Sequence, residues 1–294
     1  MQTDVIREAA LRRARRRQNV LVRFIRRYPL GAAGAAVLLV FAFAAVFADQ
    51  LAPYDPVANN FAVMFRPPGP QYLLGTDNFG RDVLSRIIFG SRTALLVAFT
   101  SSFVGATLGA LLGVVSAHFG GWVDNLIQRL TDIILAFPLI ILALAMVAAL
   151  GTGTLNVIIA ITIPMIPRVS RVIRASALSL REMPFVEAAR AIGASDVRII
   201  FRHLLPNVVA PYLVMLTAFL GQAILLEASL SFLGLGVAEP TPAWGLMLRG
   251  AATQFAERAP WLALAPGAAI SLAVFAFNLL GDALRDALDP RLRV

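Results

Sequence analysis

Uncharged apolar runs of roughly twenty residues alternate with arginine-rich or proline-rich stretches along this chain, and a helix of that length crosses a hydrocarbon core about 30 Å thick. The first run covers 30–48, where Gly31 and Gly34 lie among alanines that permit close helix contact. Pro53, Pro56, Pro67, Pro68 and Pro70 then punctuate an irregular but ordered loop. Residues 81–91 predict a short amphipathic helix along the membrane surface, and 92–117 predict a second span closed by the His118-Phe119-Gly120-Gly121 turn. A third span, 123–150, carries Arg129 and Asp132 near its start and Pro138 inside, where a kink is expected. The fourth, 155–173, contains Pro164 and Pro167, and a polar, arginine-rich segment follows it. The fifth and sixth spans are 208–235 and 262–280, separated by a mixed loop at 237–261. The pattern predicts an all-α membrane protein with six transmembrane helices.

Arginine bias orients these spans. The tail, 1–29, is strongly basic, and Val20, Leu21, Phe24 and Ile25 give its second half the apolar stripe of an interfacial helix. A cleaved signal peptide is the competing reading of this tail; its long basic region and the full span after it argue against that. Arg168, Arg171, Arg174, Arg181, Arg190 and Arg198 crowd the segment between spans four and five. By contrast, Arg66, Arg81 and Arg86 are balanced by Asp49, Asp55, Asp77 and Asp82. Both termini and the arginine-rich segment are therefore expected in the cytoplasm. No internal repeat is visible.

Composition narrows the chemistry. A chain that is 59% hydrophobic and 15% charged is not a soluble globular protein. It has no cysteine, which excludes disulfides, thiolate zinc sites and cysteine nucleophiles. Its two histidines, His118 and His203, are too few for a multi-histidine metal site, so no metal is expected. Every basic side chain is arginine. A P-loop needs a lysine at the phosphates, so this chain cannot carry one; if its work is driven by ATP, another subunit must hold the nucleotide and magnesium, and no cofactor is expected in this chain. The net charge of +9 sits beside apolar spans, which points to membrane topology and the lipid bilayer, not to nucleic acid.

Within the arginine-rich segment, Glu187 to Ile192 are good helix formers, Gly193 can break the helix, and Ala194-Ser195-Asp196 can start a second one. The result is two short helices joined at an angle by a glycine turn. Glu187-Ala188-Ala189, Gly193 and Leu205-Pro206 also reproduce the spacing of the "EAA" loop of ABC importer permeases. His203 departs from it, standing where many relatives have isoleucine. Further stretches resemble the "C" permease of the dipeptide/oligopeptide/nickel ABC importer family: Leu51-Ala52-Pro53-Tyr54-Asp55-Pro56; Leu74-Gly75-Thr76-Asp77 with Gly80-Arg81-Asp82-Val83-Leu84-Ser85-Arg86; Asp132 with Ala136-Phe137-Pro138; Ser179-Leu180-Arg181-Glu182; Glu227 through Gly236; Pro240-Thr241-Pro242 with Trp244-Gly245; and Asn278 through Asp289-Pro290-Arg291.

That resemblance implies a type I ABC importer permease fold. It divides the chain into a basic tail (1–29), a first helix with its outer loop (30–91), an importer core (92–282) with the coupling loop at about 174–206, and a short cytoplasmic tail (283–294). It also implies a homologous second permease subunit, two ATPase subunits and an extracytoplasmic substrate-binding protein, in a bacterial or archaeal inner membrane. Glu187, Ala188, Ala189, Arg190, Gly193, Ala194, Ser195, Asp196 and Pro206 become candidates for ATPase coupling, with the small residues allowing close backbone approach.

Other residues read two ways. Asp77, Arg81, Asp82 and Trp244 suit either contact with a binding protein or partner, or a self-contained turn. Glu227, Asn278 and Asp132 are polar groups in spans and suit the translocation path or contacts between helices. Arg129 and Asp132, three residues apart on one helical face, are expected to pair. Competing functions are an ion-coupled secondary transporter, for which Glu227 is the one strong midplane carboxylate, and a membrane enzyme, for which no Ser/His/Asp set or HExxH exists. Nickel or another small solute remains an alternative to peptide.

Overall fold

The computed structural model of this chain describes residues 22, 24–251, 255 and 257–288. Most of the predicted interfacial tail, and the Asp289-Pro290-Arg291 signature, lie outside the described residues.

Helix α1, Pro29–Val46, opens on a proline at its first turn, where a missing N–H costs nothing, and carries no charge. Helix α2, Val83–Phe119, is 37 residues long. At 1.5 Å per residue it is roughly 55 Å long, well beyond the hydrocarbon core. It absorbs the surface helix expected at 81–91, so the predicted boundary at Arg92 is absent. Ser91 returns its hydroxyl to the carbonyl of Ile88 (2.6 Å), so no polar group interrupts the helix there. The Asp82 side chain caps its start by accepting from the Ser85 N–H (2.8 Å) and hydroxyl (2.6 Å).

The third span departs further from expectation. Helices α3, Gly121–Leu135, and α4, Leu139–Leu150, meet at 87°. Ala136, Phe137 and Pro138 intervene; Pro138 lacks an N–H and its carbonyl restarts the ladder at Leu142. This is a broken helix pair, not the kinked single helix predicted. In α5, Thr154–Arg181, Pro164 and Pro167 are both inside the helix, buried, and do not break it. After α6, Pro184–Ala191, one helical axis runs from Asp196 to Phe232, widening to a π-helix at Ile199–Leu204, tightening to 3-10 at Leu205–Val208, and continuing as α7, Val209–Phe232. Helices α8, Trp244–Gly250, and α9, Trp261–Leu288, complete the order. Among the described residues five helices are long and apolar enough to cross a membrane, or six if the bent pair is one span.

The strongest helix contact joins α2 to α5. Gly105, Gly109 and Gly113 form its seam: a Cβ on Gly109 would sit 2.6 Å from the Ile166 carbonyl oxygen, and one on Gly113 2.6 Å from that of Ser170. Helix α9 closes on α1, where Gly31 faces Ala283.

Cross-links sort the loops into two ends. At one end Arg181 reaches the Ala117 carbonyl, His118 meets Asp196, and Gly31 lies against Ala283. At the other Arg92 pairs with Asp49, Gly153 donates to the Gly236 carbonyl, and Trp261 donates to that of Thr76. The arginine-rich segment therefore lies at the end where the described chain begins and finishes.

Candidate coupling segment and the opposite cap

The segment between α5 and α7 folds as two helical pieces around Gly193. Helix α6 begins at Pro184 and carries Glu187 in its first turn and Arg190 in its last, each at the helix end that suits its charge. Gly193 has φ +80°, a left-handed conformation that ends the helix. Its N–H bonds the Arg190 carbonyl (2.9 Å), and the Ala194 N–H bonds that of Ala189 (3.0 Å). Ser195 then caps the second piece by accepting from the Arg198 N–H (3.4 Å), with Asp196 in its first turn.

This hinge faces two ways. Val186 and Ala189 are buried in the chain's own core, so Ala189 does not offer backbone approach to an outside partner; its small side chain lets α6 lie close on its own bundle. Glu187, Ala188, Arg190, Gly193, Ser195, Asp196 and Pro206 are exposed, and Ala194 is half-buried. Beside them stand apolar residues that the motif does not name: Ile192 is 84% exposed, Val197 66%, and Phe201 is also open. They are open on the same segment as the exposed charges Glu187, Arg190 and Asp196. Val197 and Phe201, at i and i+4, were legible as one helical face; Ile192, before the glycine, carried no such signal.

Two ion pairs tie α3 to α5. Arg174 holds Asp124 with both Nε (2.6 Å) and Nη2, a bidentate grip. Ser116 of α2 also donates to Asp124. Asp132 pairs with Arg171 of α5, not with Arg129 as its own helix suggested. The pair spans two helices but is half-exposed, which limits its contribution to about 0–1 kcal/mol.

At the opposite end, the residues considered for contact with a binding protein are turned inward. Asp77 accepts from the N–H groups of Phe79 (2.8 Å) and Arg81 (2.9 Å) and from Arg81 Nε (2.6 Å). A loop without regular structure must satisfy its own buried donors, and this carboxylate does so. Arg81 and Asp82 are buried as well. Trp244 is 0% exposed: its ring lies on Gly90 and Phe41, and its Nε1 donates to the Ile87 carbonyl (3.0 Å). These side chains build the cap at this end of the bundle, and Asp77 and Arg81 also line a cleft beside Phe79 and Arg86. Trp244→Ala should cost about 3–5 kcal/mol, and Trp244→Phe about 1 kcal/mol for the lost hydrogen bond. Thermal unfolding in detergent checks this, with the two variants clearly separated.

Glu227 is 0% exposed. Its Oε1 accepts from Ser231 (2.7 Å), whose oxygen also accepts from the Val237 N–H (3.4 Å); Oε2 has no partner among the described residues. The carboxyl therefore fastens the turn after α7 from inside and lines no open path within this chain. Asn278 is exposed on α9, across from Gly221.

Residues 105–294 match the family described as binding-protein-dependent transport system inner membrane component. The chain belongs to that family. Residues 16–68 of this permease also match the N-terminal transmembrane domain of oligopeptide transport permease C. The chain is 44% identical over 274 residues to the glutathione transport system permease protein of Pectobacterium atrosepticum, covering 92% of this chain and 90% of the relative. It is 42% identical over 269 residues to the dipeptide transport system permease protein of Alkalihalophilus pseudofirmus, covering 92% and 88%. Among solved structures, an inward-facing form of the MetNI methionine ABC transporter matches 70% of this permease and 97% of its own chain, with TM-score 0.56 and 21% identity, and so shares its fold. The permease is thus a multi-pass membrane transport subunit and not an enzyme.

Proposed function

We propose that this permease forms half of the pathway of a peptide importer and takes its driving force through the 183–201 hinge. The carrying observation is that hinge: a left-handed Gly193 between two short helices, with Ile192 and Val197 bare at the arginine-rich end of the bundle. In this reading the arginine-rich end is cytoplasmic, and both termini with it. A homologous permease completes the pathway, two ATPases supply the ATP and magnesium chemistry that a lysine-free chain cannot, and an extracytoplasmic binding protein delivers the solute. Relatives that carry dipeptide and glutathione in their names support a short peptide as that solute.

The absence of cysteine makes the test clean. Ile192→Cys in the assembled importer should be blocked by a membrane-impermeant maleimide in inverted vesicles and not in intact spheroplasts, and should cross-link to an ATPase subunit. Labelling from the outer side alone refutes the assignment. Dialanine uptake by proteoliposomes holding the assembly checks the peptide class.

A further inference from the structure

Beside the hinge, a second contact has no counterpart in the motif. Helix α2 ends at Phe119, and His118 in its last turn places Nε2 2.8 Å from Oδ1 of Asp196, 78 positions away in the chain. The imidazole is buried while the carboxylate is largely open to solvent. Asp196 lies on the far side of Gly193 from α6, in the first turn of the hinge's second piece. Arg181, the last residue of α5, donates through Nη1 to the carbonyls of Ala117 (2.9 Å) and His118 (3.5 Å). A cation there satisfies two end carbonyls of α2 and suits the negative pole of that helix. The hinge is thereby pinned to the same helix whose glycine seam locks it to α5. At its other end that helix meets the cap opposite the hinge, through the Asp82 cap and the Trp244 ring on Gly90.

We propose that His118 is a positioning residue that transmits movement of the hinge into α2, and so links the coupling segment to the opposite cap through one continuous 37-residue helix. This rests on the coupling reading given above. A close-packed helix pair displaces as a unit and does not deform gradually, so the side chain that fixes the hinge to α2 decides whether a shift at one end is felt at the other. The contact works in both directions: a binding protein seated on the cap would signal to the ATPases along the same route.

The test uses the complete complex in nanodiscs and reads how far the purified binding protein stimulates ATP hydrolysis. His118→Leu removes both ring nitrogens while keeping an apolar body of similar size. It should retain ATPase subunits and basal hydrolysis while stimulation falls at least fivefold. His118→Gln, whose amide nitrogen reaches near the Nε2 position, should restore stimulation to within twofold of the native complex. Asp196→Leu, at an exposed position that does not threaten folding, should lose stimulation as His118→Leu does, and the double variant should lose no more than either single one. Native stimulation in His118→Leu, failure of His118→Gln to rescue, or multiplying losses in the double variant would each overturn the proposal. Loss of ATPase subunits from His118→Leu would also overturn it, because the residue would then be building the docking face. If instead the coupling reading itself is wrong, Ile192→Cys will not cross-link to the ATPase in the native background.

Discussion

A Gly193→Val permease is expected to insert, fold and assemble, yet import five- to thirty-fold more slowly. Gly193 is exposed and a Cβ there would meet nothing within 4 Å, so the side chain has room. The difficulty is the backbone: at φ +80° an L residue is strained by about 1–2 kcal/mol. That strain shifts the balance between bent and unbent hinges by roughly the same five- to thirty-fold factor. Unbending of the turn can relieve that strain, so stability should fall by no more than the same about 1–2 kcal/mol, a drop of only a few degrees in unfolding temperature, and ATP hydrolysis should persist without proportional uptake. Gly193→Asn is the discriminating control, since asparagine tolerates left-handed backbone better than most residues. Uptake per ATP should be mostly retained in the Asn variant. Equal loss in both variants would show that the conformation at 193 is not what matters.

Gly109→Leu should produce a large loss of stability. Here the backbone is ordinary helix and the space is missing: a Cβ would lie 2.6 Å from the Ile166 carbonyl oxygen and 2.7 Å from Val169 Cβ. Backbone atoms of α5 cannot rotate away, so the two helices must separate along the seam. Overpacking by a few methylenes costs about 1–3 kcal/mol, and Leu at a backbone-to-backbone contact should reach or exceed the top of that range. Gly267→Leu on α9, where a Cβ would meet nothing within 4 Å, should fall within about 0.5 kcal/mol of the native chain. Thermal unfolding of the purified permease in detergent compares the two. Similar losses at both positions would mean that the α2–α5 seam does not hold the fold.

The two variants mark different kinds of legibility. Gly193 was readable because its signals are local: helix formers before it, a capping Ser195 after it, and the left-handed turn that only glycine adopts cheaply. The spans were readable for a similar reason, since an apolar run declares its own burial in lipid. The start of the long helix was misread because Ser91 and Arg92 look like a boundary, although Ser91 bonds its own helix and Arg92 reaches back to the Ala45 carbonyl. Pro138 announced a bend but not its size. Asp132 had a charged neighbour three residues away, and nothing along the chain favoured Arg171 over it.

The cap opposite the hinge shows the same division. Asp77 and Arg81 stand in the loop after the first span and Trp244 in the loop before the last, where charged and aromatic residues ordinarily suggest contact with a partner. Only the folded chain reveals that each is consumed in satisfying buried donors or covering Gly90.

The sequence by itself determined the membrane-spanning helices, the lack of lysine that excludes a P-loop, and the glycine-broken hinge, because each depends on residues adjacent in the chain or on composition. Tertiary structure alone decided which polar groups meet: His118 with Asp196, Arg171 with Asp132, and Glu227 sealed beneath the turn after α7. Those pairings depend on how the Gly105–Gly109–Gly113 seam and the 87° break set one helix against another. Hydrophobic periodicity says that a face is buried and leaves open what lies across from it.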